Sequence, residues 1–326
     1  MLLELTILAA LFFSFWNGFT DAANSIATVI GTRVLTPVQA VALAALGNFT
    51  GLLFGAAVAT TIGKDLLVPE VVTVQLVLAV IAGGMLWEII TWWWGLPISE
   101  SHVLVGGLVG AAIASVGTQA VIWNTLSGKI LLPLVFAPVL AGVFAFFFTG
   151  FTVRVMRNVS RHTSNWVFKK LQVVSAFSLS VTHGANDAQK TAGIITALLL
   201  ARGVIPTFDI PEWVFAASFL AISLGTFFGG WRIVKTMSHK VTRLRPYQGF
   251  CAETGGALIL AITARMGFPV STTHAITGGI MGVGAAQRTS AVRWGVARNI
   301  MWAWLLTMPA SALFAWLAFK GFDFLF

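Results

Sequence analysis

The segment GLPISESHVLVGGLVGAA (residues 95–112) returns in altered form as GFPVSTTHAITGGIMGVGA (residues 267–285). The two copies align at a constant offset of 172 positions, which pairs their prolines, serines, histidines and double glycines. Each copy is a polar segment, interrupted by proline, inside an otherwise apolar stretch of chain. A polar segment repeated at such a distance indicates a protein built from two related halves.

Composition places these halves in a membrane. The chain has 326 residues, of which 57% are hydrophobic and 10% are charged, and its mean hydropathy is +0.88. A soluble domain carries about 25% charged residues. Apolar tracts long enough to cross a bilayer recur at 4–33, 36–62, 70–94, 96–117, 129–153, 171–204, 211–231, 246–265, 268–287 and 296–320. We therefore predict an all-α polytopic membrane protein.

Two of these tracts, 4–33 and 171–204, are longer than the roughly 20 residues that one straight crossing needs. We expect each to be a broken helix or a helix followed by a re-entrant piece. The chain would then have about 10–12 transmembrane segments.

Basic residues cluster between the apolar tracts and give the chain a net charge of +9. The segments 154–170 and 231–245 hold five Lys or Arg residues each, and Arg288, Arg293 and Arg298 follow. Cytoplasmic loops are enriched in this way, and no aromatic–basic module for nucleic acid accompanies the clusters. We predict that these segments face the cytoplasm and that no nucleic acid is bound.

The repeat and the loops together predict three regions. Residues 1–153 form a first transmembrane repeat, 154–170 a basic cytoplasmic connector, and 171–326 a second repeat. Five tracts per half is an odd number, so the second copy must insert upside down. A second aligned pair, GFTDAANS (18–25) and GANDAQKT (184–191), supports the repeat. Inverted repeats with polar, broken segments in corresponding places are typical of secondary transporters with a site near the midplane.

Two carboxylates in equivalent places are the first candidates for that site. Asp21 and Asp187 align within the second pair, and a charge at the bilayer centre costs at least about 2.5–3.5 kcal/mol, which makes it a functional candidate by default. Both could carry a coupling cation, with amides such as Asn186 beside them, or they could merely cap helices.

Hydroxyl groups after Pro97 and Pro269 are the second set of candidates. They fall in the predicted first turn of a helix, where free N–H groups and the positive dipole end favour an oxyanion. With one amide and one lysine, the predicted anion ligands are Asn24, Ser99, Ser101, Lys190, Ser271, Thr272 and Thr273. Lys190 could instead pair structurally with Asp187, three residues before it. Glu100 is a possible acceptor for a protonated anion, unless it is itself protonated or exposed to a vestibule. His102 and His274 end the motif and receive no role.

At these residues the chain resembles the inorganic phosphate transporter (PiT) family of phosphate permeases. The resemblance rests on GFTDAANSIATVIGTRVL, HGANDAQKT, PISESH and PVSTTH, which span both halves. It implies a homodimer in the cell membrane that imports phosphate with a cation, and it places Thr20 beside Asp21 in the cation site. Two residues depart from the family pattern. Thr20 stands in the cation site where the family usually has Asn or His, and Glu100 stands where it usually has Ser or Thr, so the first oxyanion loop carries an extra acid. The long central loop of larger members is also missing.

These features leave a few candidate functions for the protein. A phosphate–cation symporter is favoured, and a permease for sulfate or another tetrahedral oxyanion is the alternative. The sequence has no nucleotide-binding or metalloprotease motif, so we expect no enzyme activity and no cofactor beyond co-transported Na⁺ or H⁺. No three-ligand spacing predicts a tightly bound metal, although a labile metal–phosphate substrate stays open.

Overall fold

The computed structural model describes residues 1–239 and 242–325, and within these ranges it contains α-helices, short 3₁₀ and π turns and no β-strand. The helices are α1 (Leu2–Gly31), α2 (Pro37–Thr50), α3 (Ala57–Thr60), α4 (Val74–Trp94), α5 (Glu100–Val116), α6 (Leu132–Val155), α7 (Arg161–Ala201), α8 (Glu212–Phe228), α9 (Trp231–His239), α10 (Pro246–Arg265), α11 (Thr272–Gln287) and α12 (Trp294–Leu325). The all-α fold is confirmed.

The two longest tracts are continuous helices, so the break expected inside each is wrong. α1 has 30 residues and α7 has 41, which corresponds to about 45 Å and 60 Å of helix. An unbroken helix keeps the main-chain N–H and C=O groups of its interior bonded within the element, and a lipid environment penalises any loss of these bonds. The polar residues of both tracts therefore project from intact helices.

The breaks lie instead at the repeated proline segments. α4 ends just before Gly95 and α10 ends two residues before Gly267, and both glycines have positive φ (65° and 73°). Short extended links with Pro97 and Pro269 then lead into α5 and α11. A third break bends α8 and α9 by 71°. The prediction of broken helices is confirmed at these places.

The repeated glycines after the two links allow close helix packing. α5 packs between α4 and α12, and α11 packs between α10 and α6. A Cβ atom on Gly110 would lie 2.1 Å from the Ala312 carbonyl oxygen, and one on Gly282 would lie 2.0 Å from that of Gly142. Small residues spaced by four are typical of such contacts in membranes. Corresponding helices thus have corresponding neighbours, which is consistent with the repeat; its inversion stays a prediction.

By length and composition, five helical segments of the described chain could cross a membrane, or up to six if the bent α8–α9 pair is one span. The count of 10–12 segments stays a prediction, as do the three regions and their sides of the membrane. The connector 154–170 is mostly helical, because α6 continues to Val155 and α7 already begins at Arg161.

Candidate functional site

The polar residues of α1 and α7 meet the N-termini of α5 and α11 in the interior of the protein. Each predicted site residue is at most 6% exposed, which includes Thr20, Asp21, Asn24, Ser99, Glu100, Ser101, Asn186, Asp187, Lys190, Ser271, Thr272 and Thr273. Glu100 is only 4% exposed, so its exposure to a vestibule is wrong for this conformation. Buried polar groups are normally satisfied by hydrogen bonds, and the partners of these side chains define the site.

Two serines cap the helices that enter the site. The Ser99 Oγ accepts a hydrogen bond from the His102 main-chain N–H, and the Ser271 Oγ accepts one from that of His274, both at 3.2 Å. Side-chain oxygens at this position satisfy one of the free donors of a helix start. The remaining first-turn N–H groups and the positive ends of both helix dipoles lie at the same place.

The hydroxyls of α11 link the two candidate carboxylates to an amide. Thr272 donates to the Asp187 Oδ2 at 3.0 Å, and Thr273 donates to the Asp21 Oδ2 at 3.4 Å. Both hydroxyls also accept hydrogen bonds from the Asn24 side-chain amide, at 3.1 and 3.0 Å. Residues predicted separately for an anion and for a cation thus belong to one network.

Lys190 is held by two carboxylates. Its ammonium group donates to the Glu100 Oε2 at 2.7 Å, to the Ser101 Oγ at 2.6 Å and to the Asp187 Oδ1. An ammonium group has three N–H donors, so none is left for an anion in this conformation. Ser101 in turn donates to the main-chain oxygen of Val270 at 2.7 Å, which joins the two proline segments.

A chain of hydrogen bonds orients His183, which our sequence analysis did not assign to the site. The Thr226 hydroxyl donates to the Gly18 carbonyl at 3.1 Å and accepts from the Asn48 amide at 2.7 Å. The Asn48 oxygen lies 2.9 Å from the His183 Nδ1, and since that oxygen can only accept, the Nδ1 carries the proton. The Nε2 of the neutral ring is then an acceptor, and it lies 3.2 Å from the Asp187 Oδ2.

A potential cation site results from this arrangement. One ligand atom from each of Asp21, His183 and Asp187 lies within 4.8 Å of the others, and all three residues are buried. The sequence does not show this group as a spacing because Asp21 comes from a different helix. The available signal was His183 itself, one helical turn before Asp187.

Two residues that the sequence predicts as cation ligands, Asn186 and Thr20, are not part of this group of three. The Asn186 amide donates to the carbonyls of Thr182 and Leu260 at 2.8 and 3.1 Å, and its oxygen has no partner among the described residues. The Thr20 hydroxyl bonds back to main-chain oxygens of α1. The motif histidines lie elsewhere: the rings of His102 and His274 are tilted by 38° with their centroids 4.8 Å apart, and the His274 ring stacks on Trp304 at 3.7 Å between centroids.

Comparisons with known proteins identify related chains. A family model described as "Phosphate transporter family" matches residues 17–315. A probable low-affinity inorganic phosphate transporter of Rhizobium meliloti (strain 1021) is 49% identical over 319 residues, 97% of this chain and 95% of that protein. One of Bacillus subtilis (strain 168), described in the same words, is 40% identical over 332 residues, 100% of this chain and 99% of that protein. A solved structure called "The sodium-dependent phosphate transporter" matches with a TM-score of 0.89 and 26% identity, over 100% of both chains.

Proposed function

Because this chain belongs to the phosphate transporter family, we propose that it is a secondary transporter that imports inorganic phosphate by cation symport. The observation that carries the proposal is the network in which Thr272 and Thr273 join Asn24 to Asp187 and Asp21. Donors suited to an oxyanion and carboxylates suited to a cation share the same hydroxyls, so one ion cannot bind without affecting the other.

The charges of the site support obligatory coupling. The site holds the carboxylates of Asp21, Glu100 and Asp187 against one ammonium, that of Lys190. Phosphate entering such a site would meet an excess of negative charge in a medium of low dielectric, where like charges repel strongly. Bound cations remove this excess. The anion is therefore expected to enter together with them.

The hydroxyls of Thr272 and Thr273 link cation binding to phosphate binding. In this conformation Thr272 and Thr273 donate to the aspartates. A cation on Asp21 and Asp187 would weaken these hydrogen bonds, and both hydroxyls could then turn to phosphate, with the first-turn N–H groups of α5 and α11 as further donors. Ser99 and Ser271 accept from the main chain through their oxygens, so their own O–H protons also remain available.

Membrane potential explains why cations are needed for import. Moving one charge across 100 mV corresponds to about 2.3 kcal/mol. Divalent hydrogen phosphate therefore costs about 4.6 kcal/mol to bring into a negative interior of that potential. Two monovalent cations cancel this term and a third drives the import. Lys190, which is fixed to α7, balances part of the charge of Glu100 and Asp187 without being transported.

His183 supports a proton as one coupling ion. Its Nε2 and the Asp187 Oδ2 are both acceptors, 3.2 Å apart, and two such atoms repel unless a proton or a cation lies between them. Imidazole nitrogen binds protons readily and suits transition metals, while hard cations prefer oxygen ligands. We place the proton between His183 and Asp187. Sodium is the alternative that the name of the related structure supports.

Uptake into proteoliposomes tests the proposal. We expect an inward proton gradient to accumulate labelled phosphate without sodium, a protonophore to abolish the accumulation, and excess sulfate to leave it unchanged. Accumulation that needs a sodium gradient would assign sodium instead. Uptake of labelled sulfate at equal rates would favour the general oxyanion permease, and no uptake of phosphate under either gradient would refute the proposal.

Two variants test the carboxylates within this assay. Asp21→Asn and Asp187→Asn keep the size of each side chain and remove its charge, so each should abolish concentrative uptake. Glu70→Gln is the matched control, since Glu70 is exposed in the loop before α4. If both site variants accumulate phosphate at the rate of the unmodified protein, the aspartates are structural and the coupling mechanism is wrong.

We also propose a location and an assembly. The apolar helices support a multi-pass protein of the cell membrane, and the resemblance to phosphate permeases supports a homodimer. Cross-linking in native membranes, followed by sizing of the product, distinguishes a dimer from a monomer.

A further inference from the structure

A cavity of about 670 Å³ lies where α6 ends and α7 and α10 begin. Its walls carry the cations Arg157, Arg161 and Arg245 and the apolar side chains Met156, Val159 and Phe168. A neighbouring cavity of about 400 Å³ shares Arg245 and adds Arg243, Arg288 and Arg293. The two cavities form one cationic face, which lies beside the junction between α6 and α7.

Within the described ranges 1–239 and 242–325, these arginines form no ion pair with an acidic side chain. The sequence contains no Asp or Glu from 101 to 186, from 213 to 252 or from 254 to 322. The ion pairs of the described residues involve other basic groups. Like charges held together repel one another, so an anion from outside the chain would stabilise this face.

The backbone adds to the positive potential. Ser160 caps α7, its Oγ accepting a hydrogen bond from the Thr163 N–H at 3.2 Å. α10 starts directly after Arg245, with Pro246 at its first position. Two long helices therefore direct their N-terminal ends toward the larger cavity, and such ends bind phosphate and similar anions.

The apolar walls indicate whether the bound anion is a free ion or the headgroup of a lipid. Phe151 and Val155, one turn apart on α6, are exposed apolar residues, and the exposed Val153 lines the cavity itself. Trp166, which is 56% exposed, carries the Lys170 ammonium 3.8 Å from the centre of its ring. Tryptophan and basic residues together mark the headgroup level of a bilayer. A hydrated free anion makes no favourable contact with apolar walls, whereas the apolar part of a phospholipid does.

We propose that this cavity binds the phosphate group of an anionic phospholipid. Arg157, Arg161 and Arg245 bind the phosphate, while Met156, Val159 and Phe168 contact the glycerol and the first carbons of the chains. The lipid would tie the junction between α6 and α7 to the start of α10. Inorganic phosphate offers the same charged group without the apolar part, so the test must separate the two sources.

Titration of the purified full-length protein with short-chain lipids provides the test. We expect dioctanoyl phosphatidylglycerol to bind saturably and to raise the thermal unfolding temperature even when inorganic phosphate already fills the transport site, while dioctanoyl phosphatidylcholine does neither under the same conditions. Equal effects of both lipids would overturn the proposal, because the arginines would then not matter. Competition of inorganic phosphate for the lipid at equal concentration would also overturn it and assign the cavity to the free ion.

Single substitutions identify the cavity as the site. Arg157→Gln and Arg161→Gln should each weaken phosphatidylglycerol binding roughly fivefold, the effect expected of one arginine near an anionic lipid. Arg202→Gln, in the exposed turn after α7, is the control and should bind as the unmodified protein does. Arg157 is exposed in the loop before α7, so its substitution leaves the helices intact. Unchanged binding by both cavity variants overturns the proposal.

Discussion

At the scale of single residues, Lys190 decides the chemistry of the site. Its ammonium group lies between Glu100 and Asp187, where a free cation would otherwise be needed. A lysine that is fully buried in this way persists only because its charge is paired. The residue therefore acts as a cation that the protein carries permanently, and a smaller number of transported cations suffices to balance the carboxylates.

Replacing Lys190 distinguishes a purely structural role of its ion pairs from a role in transport. Lys190→Met leaves two buried carboxylates without their cation, and loss of one partner of a buried pair typically costs about 3–5 kcal/mol. We expect a clearly lower thermal unfolding temperature and no uptake. The double variant Lys190→Met/Glu100→Leu removes one of the stranded charges and should recover part of the stability but none of the uptake. Recovery of uptake in the double variant would show that the pair is only structural.

Thr272 tests the anion half of the site. Its hydroxyl links Asn24 to Asp187, and we propose that it turns to phosphate. Removing one buried donor costs about 1–3 kcal/mol. Thr272→Val should thus raise the half-saturating phosphate concentration about tenfold, measured as initial uptake. Thr289→Val, in the exposed turn after α11, is the control. An unchanged half-saturating concentration for Thr272→Val would remove the residue from the phosphate site.

At the scale of elements, the starts of α5 and α11 are positioned by what lies behind them. Each begins with a serine cap after a proline link, and each continues with glycines that touch a long outer helix. Close packing matters because any gap at the outer helix would move the caps and hydroxyls away from the aspartates. Rigid elements of this kind hold a site better than loops do.

Gly282 and Gly150 provide a matched test of this packing. A Cβ on Gly282 would come within 2.0 Å of the Gly142 carbonyl oxygen, whereas one on Gly150 would meet nothing within 4 Å. Gly282→Ala should push α11 from α6 and lower the thermal unfolding temperature. Gly150→Ala, a better helix former at an open position, should be neutral or stabilising by up to about 1 kcal/mol. Similar unfolding temperatures for the two variants would contradict the close contact.

At the scale of the whole molecule, the buried site and the basic face suggest how the protein lies in the membrane. The site residues are closed off from both sides in this conformation, so transport requires that α5 and α11, or the helices around them, move to open the site. The six arginines of the two cavities gather on one side, which agrees with the cytoplasmic enrichment of basic residues.

Cysteine labelling tests this orientation. Cys251 is buried and is the only cysteine, so Cys251→Ser gives a silent background. We expect Asn158→Cys to react only with reagents that reach the cytoplasm, and Thr207→Cys to react with an impermeant reagent added outside. If Thr207→Cys reacts only from the cytoplasm, the topology and the inversion of the second repeat are both wrong.

Much of this protein could be predicted from local features of its sequence. A long apolar tract predicts a membrane helix whatever its neighbours in the fold, because each helix satisfies its main-chain hydrogen bonds on its own. A serine after Pro97 or Pro269 predicts a helix start, because proline and the cap act on the nearest turn. Asp21 and Asp187 were recognised since a carboxylate in an apolar tract is costly regardless of its neighbours.

Only the tertiary structure decided which of these residues meet. His183 joins Asp21 and Asp187 because α1 lies against α7, and Asn48 from α2 sets which ring nitrogen faces them. Lys190, predicted as an anion ligand, has all its donors engaged by Glu100, Ser101 and Asp187. The tracts around these residues proved to be continuous helices because the polar groups find partners on neighbouring helices. Such contacts join residues far apart in the chain, and their distances depend on how whole helices pack rather than on any local pattern.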